Sequence, residues 1–121
     1  IGESAWWDAI DALAPGSAAM GDHAATDHAE ALLRASVASH TVADVPVAIA
    51  LSGGVDSGLV AAFARAPRPD VTAYVVDPAG GGSEVAAASA TAARVGVPLA
   101  RVPLDRDGFL ARWPRTVWHL E

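Results

Sequence analysis

The sequence holds no cysteine, which excludes disulfides, thiolate metal sites and a cysteine nucleophile within these residues. Aromatic residues are scarce at 6%, and the apolar runs are too short to cross a bilayer. The start does not read as a signal peptide. Basic residues number 8 against 14 acidic ones, a formal net charge of -6, and they form no stripe. Nucleic acid and acidic membrane surfaces are therefore poor partners, and a cytoplasmic protein is expected.

What is present suits a folded domain. The 121 residues are 52% hydrophobic, many of them alanine, about one domain with enough chain to bury a core. The chain opens at Ile1 and stops at Glu121 inside a helical pattern, so it is expected to be a piece of a longer protein.

Residues 1–25 have no sustained period. Trp6 and Trp7 sit in an apolar cluster, and Pro15-Gly16-Ser17 and Gly21-Asp22 are turn signals. This segment reads as a connector, with its tryptophans packed on a neighbour. Residues 26–121 read as the start of an α/β domain. A helix is expected after Thr26, with Asp27 and Glu30 as a capping box and Ala29, Leu32, Leu33, Ser36, Val37 and His40 on one face. Residues 47–51 form a continuous apolar run, expected to be a strand buried on both faces.

A helix over 57–65, a strand over 71–76, a helix over 83–95 stopped by Gly96, and a strand over 99–102 follow. Asp105 is placed to cap a helix through Trp113, and Pro114 to open another. Strands alternating with helices predict parallel right-handed crossovers and a doubly wound, Rossmann-like α/β sheet. Three strands make a thin sheet of that kind, so it is expected to be incomplete in this chain.

The chemistry concentrates at Ser52-Gly53-Gly54-Val55-Asp56-Ser57, between the first strand and the next helix. Backbone N–H groups in such a turn bind anions through unpaired donors and the helix dipole. Glycines let the backbone approach a phosphate, and Ser52 and Ser57 add hydroxyls, Ser57 also as a helix cap. Asp56 would repel a phosphate unless a cation lies between them, which favours a magnesium nucleotide over a bare phosphate. No lysine follows the glycines, so this is not a P-loop, and the spacing of Gly53, Gly54 and Gly58 does not fit the dinucleotide fingerprint.

The string resembles the pyrophosphatase loop of the N-type ATP pyrophosphatases. With Ala43-Asp44-Val45-Pro46-Val47 before it and Ala50-Leu51 leading in, the chain resembles the synthetase domain of glutamine-dependent asparagine synthetases. Residues 31–37 and Trp7-Asp8 are also similar to that family's entry into the domain, while Ser83-Glu84 with the alanine-rich helix to Gly96 and residues 117–121 match weaker family patterns. The resemblance implies an adenine nucleotide α-hydrolase-like sheet, and residues 1–25 as the connector from a glutaminase domain outside this chain. It implies ATP and Mg²⁺ as cofactors, with aspartate or another carboxylate as substrate, glutamine as the ammonia source, and a possible homodimer.

Carried onto these residues, Ser52, Gly53, Gly54, Val55, Asp56 and Ser57 hold pyrophosphate, with Asp56 on the metal. The backbone of Leu51 and Val76 frames adenine. No catalytic residue is expected within the chain, and the piece alone is expected to be inactive. Two other readings stand beside this one: a related adenylating enzyme such as a β-lactam synthetase or peptide cyclase, and a non-catalytic nucleotide-binding module.

The sequence also departs from the family. The second strand ends Val76-Asp77-Pro78 where a hydrophobic-Gly ending is usual, and the paired acids after it are reduced to Glu84. Glu84 reads as a residue complementing a helix dipole, and Asp77 as a turn former. Gly58 stands where serine is more usual. His23, His28, His40 and His119 lack metal-ligand spacing. Trp113 and Trp118 read as packing anchors, the arginines are dispersed, and Asp105 and Asp107 read as helix-start residues.

Overall fold

The computed structural model describes residues 21–78 and 81–120. The expectations for Trp6, Trp7 and Pro15-Gly16-Ser17 lie outside these residues. The chain divides into two compact units, Ile1–Ala31 and Leu32–Glu121. The described part of the first is Gly21 and the opening turns of helix α1 (Asp22–His40). There Ala25 N–H donates to the Gly21 carbonyl at 3.0 Å, and Thr26 Oγ1 donates to the Asp22 carbonyl at 2.8 Å. The helix thus starts at Asp22, ahead of the expected Asp27–Glu30 box. Asp22 already supplies the acidic first turn, and the alanines that follow propagate it.

The second unit holds strands β1 (Ala48–Ala50), β2 (Thr72–Pro78) and β3 (Leu99–Leu104), with helices α2 (Val55–Ala64), α3 (Ser83–Val95) and α4 (Arg106–Leu120). The sheet is parallel in the order β1-β2-β3. Ala50 pairs with Tyr74, Tyr74 with Ala100, and Val76 with Val102. Both crossovers run in the same direction across the sheet, and right-handed connections then put α2 and α3 on one face.

That face is the core. Ile49, Leu51, Ala73 and Val75 meet Ala61 and Ala64 of α2 and Val85, Ala88 and Ala92 of α3, all buried. The other face carries Ala48, Ala50, Tyr74 and Val76, all exposed, so β1 is not buried on both faces as its unbroken apolar run predicted. One helical layer covers its inner side. Val76 and Val102 on the second face line a cavity of about 310 Å³ with Phe109, Trp113 and Thr116, which lays α4 over that side. Helices therefore flank both faces, as a doubly wound fold requires.

Helix ends follow the sequence signals at two places. Gly96 takes the left-handed conformation (φ 77°), and its N–H donates to the Ala92 carbonyl at 2.8 Å. Asp105 Oδ1 accepts from Gly108 N–H at 2.7 Å, capping α4. Pro114 does not open a new helix. It lies inside α4, which runs unbroken from Arg106 to Leu120, with the Phe109 and Trp113 rings 5.2 Å apart across the turn before it.

One arginine fixes the entry to β1. Arg68, in the α2–β2 connection, donates to the carbonyls of Thr41, Ala43 and Val45 at 3.2–3.3 Å. It also makes a two-pronged pair with Asp70 at 3.1 and 3.2 Å. A guanidinium presents five donors in a fixed plane, which suits it to gather several carbonyls of one strand-like segment.

Candidate functional site

The chain stays in the sheet through Leu51, whose N–H donates to the Tyr74 carbonyl at 2.8 Å, and leaves it at Ser52. Gly53 then adopts φ +82°, and Gly54 (φ -75°, ψ 164°) forms the N-cap of α2 with no side-chain cap. The helix begins at Val55, two residues before the expected start. Ser57 is therefore a first-turn residue and not the cap.

The two glycines have different structural reasons. A β-carbon on Gly53 would stand 2.8 Å from Ala87 Cβ, 2.9 Å from Ala88 N and 3.0 Å from the Glu84 carbonyl. Gly53 is needed so that the turn can lie against α3. At Gly54 a β-carbon would meet only Ser52 Oγ, at 3.5 Å, so open space lies over its backbone. Gly58 packs in the same seam, where a β-carbon would come within 3.3 Å of Thr91 Cγ2. The missing serine side chain has a packing reason that the sequence did not reveal.

The hydroxyls tie the turn together. Ser52 Oγ and Ser57 Oγ lie 3.1 Å apart, Ser52 N–H donates to Ser57 Oγ at 3.3 Å, and Ser57 Oγ donates to the Gly54 carbonyl at 3.2 Å. Gly54 N–H donates to Ser52 Oγ at 3.4 Å. Inside this ring the first N–H groups of α2, those of Val55, Asp56 and Ser57, have no intrahelical acceptor. They form a cluster of donors at the positive end of a helix dipole.

Asp56 sits in that first turn, exposed, with no hydrogen bond or ion pair among the described residues. A free carboxylate beside free N–H donors is an arrangement for a divalent cation together with an anion. No group of three or more His, Asp or Glu with metal-site geometry occurs among the described residues. Glu84, in the first turn of α3, is exposed and complements that helix's dipole. Its backbone carbonyl lies against the loop at Gly53.

The structure thus brings Leu51, Ser52, Gly53, Gly54, Val55, Asp56 and Ser57 into one turn at the carboxyl end of β1. Val76 lies on the neighbouring strand, its side chain facing α4. Two features went unseen in the sequence: the Ser52–Ser57 contact, and the seating of the turn on α3. Serines five apart carry no periodic signal, and an alanine-rich helix looks the same whichever residues abut it. No described helix is long and apolar enough to cross a membrane.

Comparison with known proteins gives the chain a family and relatives. The family model described as asparagine synthase matches residues 28–121. A Mycobacterium tuberculosis protein assigned as a glutamine-hydrolysing asparagine synthetase is 37% identical over 101 residues, covering 83% of this chain and 16% of the relative. The glutamine-hydrolysing asparagine synthetase 1 of Bacillus subtilis is 33% identical over 87 residues, 71% of this chain and 14% of its own. Amidase chyE of Penicillium rubens is 36% identical over 95 residues, 65% of this chain and 14% of its own. The chain spans about one sixth of the length of the curated relatives it matches.

Proposed function

This chain belongs to the asparagine synthase family, and from that membership we propose that it is the nucleotide-gripping part of an ATP-dependent amide-forming ligase. In the proposed reaction an oxygen of the aspartate side-chain carboxylate attacks the α-phosphorus of ATP, and the bond to pyrophosphate breaks. Ammonia then attacks the acyl carbon of the resulting acyl-adenylate, forming the amide and expelling AMP. The ammonia derives from glutamine, released by a glutaminase domain to which residues 1–25 connect; residues 26–121 are the first part of the synthetase domain.

The residues present contribute mainly electrostatics. The N–H groups of Val55, Asp56 and Ser57 and the hydroxyls of Ser52 and Ser57 stabilise charge on the departing pyrophosphate, from positions set before the reaction begins. Gly54 leaves its backbone open to a phosphate oxygen. Asp56 is the residue that would hold Mg²⁺, which when bound neutralises phosphate charge. The backbone of Leu51, just past β1, and of Val76, two residues before the end of β2 and not at its end as the sequence suggested, frames the adenine. This follows the rule that ligands lie beyond the carboxyl ends of parallel strands.

The observation that carries the reading is Asp56: an unpaired carboxylate one turn from a bare glycine and a cluster of helix N–H donors. In the full-length protein, Asp56→Ala is expected to abolish ATP–pyrophosphate exchange while glutamine hydrolysis remains measurable. Full exchange activity in that variant overturns the role. A second reading keeps the adenylation chemistry with another carboxylate as acceptor; the family match also reaches a protein with a different name, an amidase. Pyrophosphate release that depends on aspartate favours the first reading, and release only with a different carboxylate favours the second.

A further inference from the structure

Helix α3 meets the glycine turn and the start of α2 at two points, one helical turn apart. The place of a β-carbon on Gly53 is 2.8 Å from Ala87 Cβ, and the place of one on Gly58 is 3.3 Å from Thr91 Cγ2. Ala87 and Thr91, four residues apart, lie on one face of α3. Between the two contacts run Gly54, Val55, Asp56 and Ser57, the stretch assigned above to the phosphates and the metal. Gly58 N–H donates to the Gly54 carbonyl at 3.1 Å, closing the first turn of α2. A displacement of Gly58 is therefore passed to the N–H donors ahead of it. Two points of contact fix the tilt of a helical turn, where one would leave it free to rock.

Thr91 has the properties of a firm stop. Thr26, Ser89 and Thr116, also within helices, donate their hydroxyls to the carbonyl four residues back at 2.8, 2.7 and 3.1 Å. The Thr91 hydroxyl makes no hydrogen bond among the described residues. Its methyl is the atom turned to Gly58, and among the described residues no other atom outside α2 comes within 4 Å of that place. A β-branched side chain has few χ1 choices, so the methyl does not readily swing aside. A glycine within a helix is unfavourable beside alanine, and the closeness of Thr91 accounts for its presence at position 58.

We propose that Thr91 is a positioning residue for the nucleotide site. Through Gly58 its methyl sets the height of the first turn of α2, and with it the aim of the Val55, Asp56 and Ser57 N–H groups and of the Asp56 carboxylate. The proposal rests on the reading that the turn at 52–57 holds the nucleotide's phosphates. It puts a determinant of phosphate affinity on a residue outside the turn. A misplacement of about 1 Å costs on the order of a hundredfold. A β-carbon at Gly58 forces a shift of a few tenths of an ångström, which should cost about three- to fivefold.

The test uses the full-length protein, with magnesium pyrophosphate and magnesium ATP as probes, at a temperature where circular dichroism shows each variant fully folded. Affinity then reports position and not unfolding. Gly58→Ala is expected to weaken both affinities about three- to fivefold. Thr91→Ser removes the methyl, lets the turn settle, and should weaken them about two- to threefold. In the double variant Gly58→Ala/Thr91→Ser the new methyl takes the vacated place, and both affinities should return to within about twofold of wild type. Thr91→Val keeps the methyl and drops only an unbonded hydroxyl, so it should bind as wild type does.

Wild-type affinity in Gly58→Ala, or a loss there that Thr91→Ser does not relieve, overturns the proposal. If Gly58→Ala does not fold, Thr91→Ser and Thr91→Val decide the matter, and equal affinities in these two overturn it. If pyrophosphate binds wild type and is lost in Asp56→Ala while changes at Gly58 and Thr91 have no effect, the reading of the turn stands and only this inference falls. Absence of any binding to wild type overturns both.

Discussion

Gly53 lies so close to Ala87 that a β-carbon on the glycine would stand 2.8 Å from the alanine's own. The contact sits where the glycine turn meets the neighbouring helix, and it separates the roles of two adjacent glycines. Gly53→Ala must open this contact and also hold a side chain at φ +82°, a conformation that costs on the order of 1–3 kcal/mol by itself. We expect a destabilised protein with ATP–pyrophosphate exchange lost. Gly54→Ala meets no such wall, and its stability should stay within about 1 kcal/mol of wild type. Its ATP affinity should nonetheless fall, because the added methyl enters the open space over the backbone. Denaturant titration alongside exchange kinetics distinguishes the two variants.

Ser57 makes three contacts within the turn and Ser52 Oγ two, one of them shared. Removing Ser57 Oγ should cost about 0.5–1.5 kcal/mol for each hydrogen bond not replaced by water. Because the two hydroxyls touch, the double Ser52→Ala/Ser57→Ala variant should lose less than the sum of the single losses. Additive losses, measured as stability and as KM for ATP, would show that the hydroxyls act independently.

The Arg68–Asp70 pair gives stability a pH dependence of known sign. Asp70 is held below its ordinary value by its hydrogen bond from Arg68, then by a backbone hydrogen bond and the guanidinium charge. A depressed carboxylate contributes stability that is present above the unfolded value, about 3.9, and is lost as pH falls through the folded value. Asp70→Asn should therefore lower the denaturation midpoint at neutral pH, with the gap to wild type closing below about pH 4. Arg68→Lys should recover little of what Arg68→Ala loses, since an ammonium cannot span three carbonyls and a carboxylate.

Pro114 sits inside α4, where it removes a backbone donor and crowds the preceding turn. An interior proline costs about 3 kcal/mol relative to alanine, partly offset by its restriction of the unfolded chain, worth about 0.4–1 kcal/mol. Pro114→Ala should raise the midpoint of thermal unfolding of the full-length protein. An unchanged or lower midpoint would mean that the proline sets the course of the helix over Val76 and Val102.

Much of the fold was legible because local chemistry and global structure agree. Gly96 and Asp105 stop and start helices through backbone demands that any surrounding fold would impose. The 52–57 turn is likewise written in its own residues, and its family resemblance extends along most of the chain. Pro114 misleads because helix breaking is a local tendency that an otherwise continuous helix overrides. The second face of β1 misleads because a run of Ala and Ile cannot say how many layers cover it. Gly58 stayed obscure for another reason: its meaning lies in Thr91, a residue distant in sequence.

The alanine-rich stretch of α3 resembles inert filler, yet the turn rests directly upon it. Enlarging Ala87 or Ala88 would lift the backbone of the glycine turn as a shim lifts a hinge, without altering a single residue of the motif. Under the proposed function, nucleotide affinity can thus evolve by changing a supporting surface rather than the groups of the turn itself.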